Sequence, residues 1–244
     1  MLESFCEGRL FAERIGTGPA EVVALHGWAR TREDLIGALT GFNAVAFDLP
    51  GFGSSPEPST AWGSEAYAAL VAEALATLGR PQVVLGHSFG GRVAVRLAAR
   101  WPELVSGLVL TGVPLFERTS SPALPYRAVR WASRRGLVPA SWLEKARQRY
   151  GSRDYLRATE TMRSILVRVV SERYDEDLAR ISCPVELVWG EDDTDAPPGF
   201  AEQACAMLDK AHLQVLEHVG HMTPLAAPGA LHDAVGRLLN VSSL

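Results

Sequence analysis

At 244 residues, with 47% hydrophobic residues, 21% charged residues and a formal net charge of -4, the chain has the make-up of one globular domain with a sizeable core. That balance gives no electrostatic reason to expect nucleic acid as a partner, and no stretch nears the ~18 uninterrupted apolar residues of a membrane span. Residues 1–16, MLESFCEGRLFAERIG, hold no basic segment followed by an apolar run, so neither signal peptide nor anchor is expected and a cytoplasmic location is.

In chain order, short apolar runs alternate with helical patterns. EVVALHG (21–27) reads as a strand, with a helix at about 32–39; AVAFDLPG (44–51) is the next strand, with a helix at about 64–78. QVVLGHS (82–88) leads into a helix at 89–100, and GLVLTG (107–112) follows as a further strand. After a long interval come VELVWGEDD (185–193), a helix at 199–208, LQVLEHVG (213–220) and a helix at 228–239. Val- and Leu-rich runs with little polar alternation are strands buried on both faces, so the fold class is α/β with a mostly parallel, doubly wound sheet.

Residues 114–181 break the rhythm. They contain no convincing strand, three prolines near the start, and an amphipathic helix with Met162, Ile165, Leu166, Val169 and Val170 on one face. The division expected is a core of 1–113 and 182–244 with a helical cap inserted at 114–181, placed to wall a pocket off from water. Thirteen arginines and Lys145 stand in this insert against eight acidic residues, a net +6 that leaves -10 for the rest. Such asymmetry suits an anionic substrate or an acidic carrier protein docking on the cap surface, where Arg147, Arg153 and Arg157 are expected. The plainer account is a set of solvated helix faces, in keeping with 22 Arg against two Lys chain-wide.

Gly86-His87-Ser88-Phe89-Gly90 sits where a strand must turn sharply into a helix. Glycines flanking the serine remove the Cβ atoms that would collide as strand and helix cross, and Ser88 is left with its hydroxyl presented at the helix N-terminus. A serine N-cap has the same local look. Serine is a weak nucleophile without a base, so a histidine and a carboxylate to orient it must arrive from elsewhere, in the order Ser, acid, His. Asp193 is the acid assigned and His221 the base; Asp192 competes closely for the acid, Asp195 less so, and His218 competes for the base but is expected to be packed.

Oxyanion donors are expected from the backbone N-H groups of Phe89 and Trp28, the latter after the first strand. Trp28, Phe89 and Met222 are candidate pocket residues, although both aromatics also fit an ordinary core. No cofactor is expected. Gly51-Phe52-Gly53 precedes Ser54-Ser55-Pro56 instead of a helix, which is a poor dinucleotide loop, and His218 and His221 lack a further metal ligand nearby. Cys6, Cys183 and Cys205, odd in number and without C-x-x-C spacing, read as packing residues.

LHGW (25–28), DLPGFGSS (48–55), GHSFGG (86–91), GEDD (190–193) and GH (220–221) fall in the order found in the α/β-hydrolase superfamily, and the chain resembles its serine hydrolases over nearly all its length. The resemblance implies an α/β-hydrolase fold, a Ser-His-Asp triad, and the acid three residues after Gly190, which favours Asp193. LHGW and DLPGFG are most similar to the carboxylesterases that cleave pimeloyl-[acyl-carrier-protein] methyl esters. GGR with Arg92 resembles the menaquinone-pathway synthase branch, which uses a similar triad for elimination. The resemblance implies a carboxylesterase acting on a small-molecule or carrier-bound ester; a triad-using lyase, a C-C bond hydrolase and a slow-turnover ligand receptor stand as alternatives.

Overall fold

The computed structural model describes residues 1–117, 131–133, 135–139, 141–142 and 153–241. Among them, eight strands form one sheet in the order β1-β2-β4-β3-β5-β6-β7-β8. They are β1 (Leu2–Phe5), β2 (Leu10–Ile15), β3 (Val22–Leu25), β4 (Ala44–Asp48), β5 (Gln82–His87), β6 (Val105–Thr111), β7 (Val185–Gly190) and β8 (Ala211–Leu216). From β4 across to β8 every pairing is parallel, whereas β1 and β2 are antiparallel to their neighbours.

Each inner strand sends alternate side chains to opposite faces. Val23, Leu25, Val45, Phe47 and Val84 pack under the helices α2 (Ser64–Ala76), α3 (Phe89–Arg100) and Pro198–Met207. Val22, Ala24, Ala44, Ala46, Val83 and Leu85 pack on the other side against α1 (Ile36–Leu39) and the C-terminal helix Pro228–Val241. Burial on both faces is why these strands carry unbroken apolar runs.

The N-terminal pair, β1 and β2, is absent from the sequence reading of residues 1–16. Its turn runs through Cys6, Glu7 and Gly8 at φ of 52, 58 and 84°, two of them residue types that give no left-handed turn signal. Only Leu10 and Ala12 of β2 are buried, a short period-2 trace at an edge.

Between β6 and β7 the described residues form the helices Arg153–Arg157, Glu160–Val169 and Asp175–Leu178. In the second of these Met162, Ile165 and Val169 enter the core, but Leu166 is half-buried and Val170 is 59% exposed, so the predicted apolar face divides into two stripes. Arg147 lies outside the described residues, as does much of the expected cap.

Three arginines of α3 fasten the returning segment to the sheet. Arg92 Nε and Nη2 donate to the Pro114 carbonyl and Nη1 to that of Val169, so one side chain joins the start of the returning segment to the end of the helix Glu160–Val169. Burial pulls its pKa down from the ordinary arginine value; backbone carbonyls and the Tyr174 ring, 5.6 Å away, surround the charge. Arg96 bonds Asp177 and the Arg173 carbonyl, and Arg100 pairs with Asp177 at 3.9 Å as well as with Glu65 of α2. Glu172 completes the join by accepting from the backbone N-H and hydroxyl of Ser64, the first residue of α2, a carboxylate at the positive end of a helix.

Candidate active site

β5 ends at His87 and α3 begins at Phe89, so Ser88 alone makes the turn. It does so at φ 50° and ψ -112°, a conformation that costs a non-glycine residue on the order of 1–3 kcal/mol. The surroundings hold it there: Ser88 N donates to Thr111 O at 3.0 Å and Gly90 N to His26 O at 3.0 Å. A Cβ on Gly90 would overlap the Leu25 carbonyl, so the crossing of β3 and α3 requires a glycine at that position.

The ends of β7 and β8 bring the other two groups to this serine. His221 Nε2 lies 3.0 Å from Ser88 Oγ, and His221 Nδ1 lies 3.0 and 2.9 Å from the two carboxylate oxygens of Asp193. A carboxylate only accepts, so Nδ1 carries the proton and the Nε2 lone pair faces the hydroxyl. Asp193 is 2% exposed, and its Oδ1 accepts from the N-H groups of Asp195 and Ala196 at 2.9 and 2.8 Å, which pins the carboxylate in one orientation.

The competing residues stand elsewhere. Asp192 is exposed and engages through its backbone N-H, which donates to Val219 O; Asp195 is exposed at the cleft wall. His218, expected to be packed, is instead exposed at φ 58°, its backbone forming the bend that carries the chain to His221. Among the described residues no group of three or more His, Cys, Asp or Glu side chains is arranged to hold a metal ion.

The backbone N-H of Phe89 opens α3, and that of Trp28 lies in the loop after β3. Among the described residues neither has a backbone acceptor in the fold, so both are free to meet a developing oxyanion. Two side chains quoted in motifs without a role shape this loop. His26 accepts from Leu49 N through Nε2 at 2.9 Å and donates from Nδ1 to Gly27 O at 2.7 Å; burial lowers its pKa to about 4. Buried Asp48 accepts from Arg32 N and Ser54 N at 2.9 and 2.8 Å, tying the Trp28 loop to the PGFG loop.

A further residue of the site escaped the sequence reading. His87 is buried, with its pKa lowered to about 4 by desolvation, and its Nε2 donates at 3.0 Å to the backbone carbonyl of His221. Neutral and fixed, it braces the loop that carries the base. Nothing in the sequence signals it beyond its place beside Ser88.

Ser88 and His221 open into a cleft of about 1260 Å³. Of the expected pocket residues, Trp28 and Met222 are half-buried in the cleft lining, whereas Phe89 is not in it: it is 4% exposed and meets Trp28 edge-on at 5.3 Å between centroids. Phe89 is thus a core aromatic beneath the pocket. Arg157, expected on the outer cap surface, is exposed but lines the cleft; Arg153 opens its helix. No helix among the described residues is long and apolar enough to cross a membrane.

Residues 22–234 match the alpha/beta hydrolase family. The chain is 30% identical over 240 residues to the pimeloyl-[acyl-carrier protein] methyl ester esterase of Chromobacterium violaceum, covering 87% of this chain and 91% of that one. It is 30% identical over 256 residues to the lipase LipV of Mycobacterium tuberculosis, covering 90% and 93%. Among solved structures, a thermophilic esterase from Thermogutta terrifontis superposes with a TM-score of 0.71 at 23% identity, covering 95% of this chain and 93% of that one.

Proposed function

We propose that this chain, which belongs to the alpha/beta hydrolase family, is a carboxylic ester hydrolase with Ser88 as nucleophile, His221 as general base and acid, and Asp193 as the group that orients the base. The observation that carries the reading is the unbroken line from Asp193 through His221 to Ser88, at 2.9 and 3.0 Å, ending on a serine held at φ 50°. In that arrangement His221 takes the Ser88 proton as Oγ attacks the ester carbonyl. The N-H groups of Phe89 and Trp28 receive the oxyanion, and the imidazolium returns the proton to the departing alcohol. Water activated by the same histidine then hydrolyses the acyl-enzyme. The esterase and lipase relatives point the same way.

Replacing Ser88 by Ala removes one hydroxyl from a half-buried position, so the fold is retained while turnover of p-nitrophenyl esters drops by orders of magnitude. Retention of more than a few per cent of wild-type kcat excludes Ser88 as nucleophile.

The finer proposal is a carrier-bound ester, the carrier being an acidic protein met by the arginine-rich insert. Support comes from the insert's net +6 and from the named substrate of the Chromobacterium violaceum relative. Its test is salt: turnover of a carrier-bound ester falls steeply with ionic strength, since exposed charges are screened beyond ~10 Å at 0.1 M, while a small neutral ester responds little. Parallel salt profiles for the two substrates refute it.

A further inference from the structure

We propose that a stripe along the helix Glu160–Val169 and its C-cap, formed by Met162, Leu166 and the C-cap residue Val170, is a rail along which a linear hydrocarbon chain of the ester lies. The proposal rests on the ester hydrolase reading and adds a substrate class to it. The three residues recur every fourth position, hence on one helix face, and all three line the cleft that holds Ser88 and His221. Ala158, just before the helix, lines the cleft too, with the charged Asp154 and Arg157 further back along the chain.

Core packing accounts for Met162 at the inner end of this face but not for Leu166 and Val170. Ile165 and Val169, on the adjacent stripe, are 0% and 2% exposed and already anchor the helix. Along the rail, exposure rises from 4% at Met162 to 59% at Val170, so a large apolar side chain is left facing water at its outer end. At the inner end the Met162 sulfur lies over Gly51, at φ 90°, in the space a side chain there would take. The next residue, Phe52, packs on Trp28 at 5.0 Å, and Trp28 packs on Phe89 at 5.3 Å, continuing the apolar surface to the elbow. Eight residues at 1.5 Å each make the rail about 12 Å long, room for a chain of about eight to ten carbons. A hydrocarbon covers Val170 and Leu166 with no polar group to desolvate, whereas a sugar or charged moiety would leave hydrogen-bonding groups unmet against them.

The chain belongs to either the acyl or the alcohol side of the ester, and two substrate series separate these: p-nitrophenyl esters from acetate to dodecanoate, and acetate esters of alcohols from ethanol to decanol. In one series kcat/KM rises by up to about fourfold per methylene and levels off once the rail is covered. Val170→Asp flattens the last steps of that rise, and Leu166→Trp moves the break to shorter chains. Because Val170 is largely exposed, its variant melts with the wild type and keeps the test valid should Leu166→Trp fold poorly. Flat profiles in both series, or a wild-type profile in Val170→Asp, overturn the rail. Fluorophosphonate labelling of Ser88 in the same samples separates the failures: labelled protein with flat profiles loses the rail alone, and unlabelled protein loses the hydrolase reading and the rail with it.

Discussion

Asp193→Asn keeps the shape of the side chain while removing its charge and reversing the hydrogen bond it makes with His221. In the native site Oδ1 accepts two backbone N-H groups, from Asp195 and Ala196, and the second oxygen meets His221 Nδ1 at 2.9 Å. An asparagine of the same shape must keep its carbonyl oxygen on the two N-H groups, because an NH2 turned toward them would set donor against donor in a buried position. Its NH2 therefore faces His221, which answers by moving its proton to Nε2 so that Nδ1 can accept. Nε2 then has no lone pair for the Ser88 hydroxyl. The expected loss in kcat is about 10⁴-fold, the scale found when this tautomer is inverted in other serine hydrolases, equivalent to about 5.4 kcal/mol of transition-state stabilisation. The melting temperature moves little because every backbone donor keeps an acceptor. Asp192→Asn, altering an exposed side chain away from His221, stays within about twofold of wild type. Steady-state kinetics on p-nitrophenyl butyrate with thermal melts decide it. An Asp193→Asn enzyme above a tenth of wild-type kcat, or an Asp192→Asn enzyme with the larger loss, refutes the reasoning.

The buried imidazoles predict an acid-sensitive fold. His26 and His87 have pKa values near 4 in the native state against 6.5 when exposed, so between those values the unfolded chain binds more protons. Stability is complete above pH 6.5 and falls toward pH 4, by on the order of 3 kcal/mol for each histidine at the low end; urea midpoints that stay level from pH 7 to 4.5 contradict this. Arg92→Ala strips the Pro114 and Val169 carbonyls of their Arg92 donors and loosens two points of the returning segment at once. A stability loss of about 2–4 kcal/mol is expected in denaturant titrations, and an unchanged midpoint contradicts the anchoring role. Gly90→Ala drives a Cβ into the Leu25 carbonyl and yields little folded protein, whereas a wild-type melting curve would show that β3 and α3 can part at no cost.

The features legible in the chain are those that leave a local trace. Val23 and Val22 face different halves of the core, so β3 shows an unbroken apolar run, and the two ends of the elbow are marked by glycines within four residues of each other. Asp193 and Asp192 differ by one position; spacing from Gly190 in the family resemblance favours Asp193, and the fold separates them physically by burying one and exposing the other. What the chain conceals is held by long-range bonds: His87 to His221 across 134 positions, Glu172 to Ser64 across 108, Arg92 to Val169 across 77. No periodicity or spacing encodes such pairings, because each joins residues that only the tertiary fold brings together, even where one partner sits in a recognisable motif. The helix Glu160–Val169 shows the same limit, since a hydrophobic face read from spacing says nothing of whether its two stripes meet the core or a cleft.

Covalent trapping tests the central claim most directly. The protein is incubated with a slowly turned over p-nitrophenyl ester, quenched in acid during the burst of p-nitrophenol, and examined by intact mass and peptide mapping. The mechanism predicts a mass increase of one acyl group, carried on the peptide containing Ser88 and absent from Ser88→Ala. Ester turnover with no acylated peptide, or an acyl group on any other residue, would contradict it.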